Sequence, residues 1–114
     1  MLIDPAIEAV ERYKKAQAAY IEFGQSFAHE THPTPEVEAL EKAFTELGDK
    51  SCEALYEMVS TTPTTVAGCA ALLRQIEAFQ IAYYEPISSD WRGDISVAAR
   101  NLLSRIAATL EANA

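Results

Sequence analysis

A chain of 114 residues, 49% hydrophobic and 23% charged with four glycines, has the composition of one globular domain rather than of a disordered or fibrous protein. Its formal net charge of −8 disfavours nucleic acid as a partner, because binding a phosphate backbone needs Lys and Arg to replace condensed counterions. No apolar run approaches the roughly 20 residues that span a bilayer, and Met1-Leu2-Ile3-Asp4-Pro5 lacks the basic start of a secretory leader, so no membrane partner and a cytoplasmic location are expected.

The first helix is expected over 5–29. Asp4 is a good N-cap and Pro5 has no N–H to leave unpaired at the first helical position. Ile7, Val10, Tyr13, Ala16, Tyr20, Phe23 and Phe27 then recur in steps of three and four, which places them on one stripe. Thr31-His32-Pro33-Thr34-Pro35 ends this helix, since each proline removes a donor and pushes the preceding residue out of the α region.

A second helix is expected over 35–59, capped by Thr34 with Glu36 favourably placed in its first turn. Val37, Leu40, Phe44, Leu47, Ala54 and Met58 form a heptad-like stripe, and Gly48 permits a close approach or a bend. Glu36, Glu38, Glu41, Glu46, Asp49, Glu53 and Glu57 make this segment acidic. With so short a connection, helices one and two should pack as an antiparallel hairpin.

Ser60-Thr61-Thr62-Pro63-Thr64-Thr65 closes that helix and opens a third, expected over 65–85 with Thr64 as N-cap and Pro86 beyond its end. Its apolar positions are Val66, Cys69, Ala70, Leu73, Ile76, Phe79 and Tyr83. A fourth helix is expected over 90–112, with Trp91, Ile95, Ala98, Ala99, Leu102, Leu103, Ile106 and Leu110 on its stripe and Val97 opposite. The sum is an all-α four-helix bundle built on a long antiparallel hairpin, occupying residues 1–114 as a single domain.

The stretch Ser60 to Arg74, STTPTTVAGCAALLR, resembles a signature of short uncharacterised alphaproteobacterial helical proteins, in which a P-T-T-x-x-G segment opens a helix that continues A-x-L-L. The resemblance covers this stretch and a preceding pair of long helices; it implies relatedness and transfers no catalytic residue. Physically, the threonines suit the open N–H groups of a helix start, and Gly68 leaves room for a neighbouring helix. The alternative is an anion site at Thr64 and Thr65, where the helix dipole favours negative charge.

The remaining chemistry is sparse. In His29-Glu30-Thr31-His32 the histidines are three apart rather than four, so the pattern departs from the H-E-x-x-H zinc helix. No acid precedes either histidine by three, which removes the carboxylate-bridged di-metal bundle, so neither metal nor cofactor is expected. Cys52 and Cys69 fit no paired or zinc spacing and read as reduced, buried thiols. Arg92-Gly93-Asp94 reads as a helix start.

With no catalytic constellation, the chain is expected to be a non-enzymatic helical self-association or protein-interaction module. It would act as a homodimer or with another protein, through Tyr20, Phe23, Phe27, Tyr83 and Tyr84. One alternative is a small-molecule-binding or enzymatic bundle with Tyr13, Tyr56 and Tyr83 lining its pocket. Another is an acidic regulator that covers a basic protein surface with the face of the second helix.

Overall fold

The computed structural model describes residues 3–27, 34–81, 95 and 97–113, and all regular structure among them is helical. Helix α1 spans Pro5–Phe27, α2 Pro35–Ser60, α3 Val66–Ile81 and α4 Leu102–Ala112. The all-α four-helix reading therefore holds. No described helix is long and apolar enough to cross a membrane.

The helix starts follow from local chemistry. Asp4 Oδ1 accepts the Ala6 N–H at 2.9 Å while the Asp4 carbonyl accepts that of Ile7 at 3.0 Å. Extended Thr34 caps α2 by accepting the Val37 N–H on its hydroxyl at 3.1 Å. The cap of α3 is Thr65 and not Thr64 as the sequence suggested: the Thr65 hydroxyl accepts the Gly68 N–H at 3.0 Å and its carbonyl that of Cys69 at 3.1 Å.

A second correction concerns the last helix, expected to run unbroken over 90–112. Residues 95 and 97–99 are helical, but Arg100 and Asn101 form a turn before α4 begins. Asn101 sits at φ −109°, ψ 14°, the bridge region between helix and strand, where a short polar side chain is well tolerated. The Arg105 guanidinium then bonds the Ala98 carbonyl at 3.4 Å and also the Val59 carbonyl in the last turn of α2, so one side chain serves two helix ends. Its buried Nε–H has no partner.

Cross-helix contacts give the topology. Arg12 pairs with Glu57 at 2.6 Å, Tyr20 lies against Gly48 and Gly24 against Phe44, so α1 and α2 are antiparallel. The Thr109 hydroxyl donates to the Pro63 carbonyl at 2.8 Å and the Cys69 thiol to that of Ile106 at 3.7 Å, so α3 and α4 are antiparallel too. Helix α1 packs on α2 and on α3, and α3 on α4. The chain thus runs up, down, up, down.

One cluster of buried residues draws on all four helices: Ala6, Ala9, Val10 and Tyr13 meet Leu55, Met58 and Val59, with Cys69, Leu72, Ile95, Leu102 and Ile106 completing it. Leu55 and Val59 lie off the expected α2 stripe. They are buried because the end of α2 has α1 on one side and α4, through Arg105, on the other. On α3 the core residue is Leu72, whereas Leu73 is exposed. This helix is apolar most of the way round, so periodicity alone does not select its inner face.

Candidate functional site

Among the described residues, the point where the start of α1 meets the start of α3 is the most polar feature of the interior. Asp4 is 4% exposed. Besides capping its own helix, its Oδ2 accepts the Thr64 N–H at 3.1 Å, the Thr65 N–H at 2.9 Å and the Thr65 hydroxyl at 2.6 Å. An anion does lie at Thr64 and Thr65, and it is the chain's own carboxylate. Gly68 is the room it needs: a Cβ there would stand 1.9 Å from Asp4 Oδ2. The neighbour that Gly68 admits is a side chain, not a helix.

Electrostatics agree with a structural clasp. Burial pushes the Asp4 carboxyl up, but the Thr65 hydroxyl and the N–H groups of Ala6, Thr64 and Thr65 outweigh it and hold Asp4 below the usual aspartate range. Burial, with the nearby Asp4 charge, pushes the Cys69 thiol up, so it stays protonated and unreactive at neutral pH. The Thr65 hydroxyl donates to Asp4 and accepts from Gly68, which leaves it engaged on both sides.

The aromatic residues expected at an interface are placed differently from one another. Tyr20 stacks on Phe44 with ring centroids 4.6 Å apart, and Phe23 lies 6.2 Å from the same ring, all three half-buried in the α1–α2 seam. The Phe27 side chain, Tyr83 and Tyr84 lie outside the described residues, as do His29, His32, Trp91 and the Arg92-Gly93-Asp94 string. Of the tyrosines expected around a pocket, Tyr13 is in the core and Tyr56 is 40% exposed. Glu36, Glu38, Glu41, Glu46, Asp49, Glu53 and Glu57 are all exposed along α2. Among the described residues no group of His, Cys, Asp and Glu is arranged to hold a metal ion.

A surface that the sequence reading assigned to the core emerges instead on α3 and α4. Val66 is 54% exposed, Leu73 41%, Leu103 62% and Leu110 37%. On α3, Gly68 faces Asp4 of α1, and Val66 and Leu73 lie about 140–160° round the helix from it at roughly 100° per residue. On α4, Arg105 reaches α2, and Leu103 and Leu110 lie about 140–160° round from it by the same reckoning. Each pair is therefore turned away from the α1–α2 hairpin, and the four are large apolar side chains of the exposed α3–α4 surface. The sequence signal was present as helical spacing; what periodicity lacked was which neighbour each flank would meet.

Comparison of the chain with family models, with curated proteins and with solved structures returned no match.

Proposed function

We propose that the chain is a non-enzymatic helical module that associates with itself, with the exposed α3–α4 face as its contact surface. The observation that carries this reading is that face: large aliphatic side chains left in water on adjoining helices are costly at roughly 25 cal/mol per Å² and typically mark a surface that another protein covers. The reading moves the contact from the expected aromatic set to Val66, Leu73, Leu103 and Leu110, because Tyr20 and Phe23 are engaged with Phe44 inside the hairpin. The junction at Asp4 adds support of a different kind, since its polar groups are committed to holding α1 on α3.

Sedimentation of the full chain over the micromolar range tests the proposal. A dimer mass is expected for the wild type, and Leu73→Glu or Leu103→Glu should give monomers of unchanged helicity, both positions being exposed. A wild-type chain that stays monomeric throughout that range overturns it.

A further inference from the structure

We infer that the Arg100–Asn101 break is a hinge pinned by Arg105, and that withdrawing the pin joins residues 95–112 into one helix. Sharp interruptions of a helix arise at proline, at paired glycine or serine, at a π-bulge, or where a side chain enters the ladder of backbone bonds. Residues 95–112, ISVAARNLLSRIAATLEA, contain no proline, no glycine and no paired serines. Among the described residues there is no π-turn and no non-glycine residue with positive φ, and Asn101 makes no side-chain capping bond to α4. The remaining cause is the one found. The Arg105 guanidinium bonds the Ala98 carbonyl at 3.4 Å, the group that in an unbroken helix accepts the Leu102 N–H.

The same guanidinium bonds the Val59 carbonyl at the end of α2, so two helix C-termini point their negative ends at one cation. The second of those ends exists because the helix is broken. The pin holds at a cost: the first N–H groups of α4 forgo the partners an unbroken ladder supplies, and the buried Arg105 Nε–H has no partner. The core residues suit the unbroken form too. Ile95 and Leu102, 5% and 3% exposed, are seven positions apart, and with Ala98 and Ile106 they share one face of a continuous helix. Thr109 on Pro63 and Cys69 on Ile106 fasten α4 to α3, so the segment before the break is the arm that moves. Arginine is not deprotonated in proteins, so the hinge answers to the seating of α2 against Arg105 and not to titration. It couples the end of α2 to the direction in which the chain enters α4, whether the protein acts as one copy or two.

Nuclear magnetic resonance on the full chain reads the hinge. Arg105→Met keeps an apolar stem and removes the donors. Its Cα shifts at Arg100 and Asn101 should move from turn to helical values, and the Leu102 and Leu103 amides should exchange about tenfold more slowly as each gains a ladder bond. Arg105→Lys, which retains a cationic donor, should keep the wild-type turn shifts. A folded Arg105→Met chain whose Arg100 and Asn101 shifts stay at turn values overturns the hinge. Should Arg105→Met fail to fold, Asn101→Ala approaches the same balance from the other side, at an exposed position with no capping bond to lose. Its helix propensity favours the unbroken form, so it should draw the Arg100 shift toward helical values and slow the Leu102 amide. Unchanged values at both residues overturn the hinge as well.

Discussion

Asp4 accepts four hydrogen bonds while almost fully buried, one from its own helix and three from the start of α3. Bonds to a charged acceptor at a helix start are worth about 1–3 kcal/mol together, so Asp4→Ala should destabilise by roughly that amount. Gly68→Ala should destabilise by a similar 1–3 kcal/mol or so, because its methyl would occupy the carboxylate's place. In the Asp4→Ala background the same change should instead be neutral or stabilise by up to about 1 kcal/mol, since alanine is the better helix former once the clash is gone. The pH dependence has a definite sign. A carboxyl held below its ordinary range contributes stability above that range, near pH 4 as an order of magnitude, and loses it as pH falls through the lowered value. The gap between wild type and Asp4→Ala should accordingly narrow in acid. Urea unfolding of the four chains between neutral and acidic pH checks all of this, and additive effects of the two substitutions would show the contact to be absent.

The hairpin elements display what local sequence does and does not reveal. Asp4-Pro5 and Thr34-Pro35 announce helix starts through groups a few residues apart, and both starts are found there. The inner face of α3 was not legible, because Leu72 and Leu73 are equally apolar and only the docking of α1 decides between them. The break at Arg100–Asn101 was equally hidden, since the side chain that serves the exposed helix end belongs to Arg105 and reaches it only once α2 is in place. The glycines of the seam make a test. A Cβ at Gly48 would meet the Tyr20 ring at 3.4 Å, an ordinary contact, whereas one at Gly24 would meet Phe44 at 3.0 Å, and that ring is packed against Tyr20 and Phe23. Gly48→Ala should raise stability by about 0.5–1 kcal/mol, a few degrees in the melting temperature. Gly24→Ala should gain less or lose, and thermal melts of the two variants side by side decide it.

At the scale of the whole molecule the interior is asymmetric. Among the described residues the shared cluster involves the beginning of α1 and the end of α2, which form one end of the hairpin. A bundle of this kind, with extents of 58 × 30 × 20 Å, has a high ratio of surface to core. Covering the exposed α3–α4 surface in a dimer adds burial to the end that already holds the core. The melting temperature should therefore rise with protein concentration, as it does whenever association favours the native state, and Leu103→Glu should abolish that dependence. Calorimetry over a hundredfold range of concentration checks both. The antiparallel hairpin and the helical class were readable from spacing, but the exposed surface was not, because a spacing rule counts an apolar residue as inward whether the neighbour that covers it belongs to the same chain or to another.

The clasp between α1 and α3 also changes how kinship to this chain is to be sought. Asp4 and the Thr65–Gly68 pair are separated by some 61 positions yet act as one unit, since the carboxylate needs the threonine's donors and excludes any side chain at position 68. Substitutions at these positions are not independent. A lineage that loses the aspartate is released from the glycine, while one that keeps the glycine has reason to keep the aspartate. Paired inheritance of an Asp-Pro helix start with a distant Thr-x-x-Gly therefore discriminates relatives of this fold better than either string read alone.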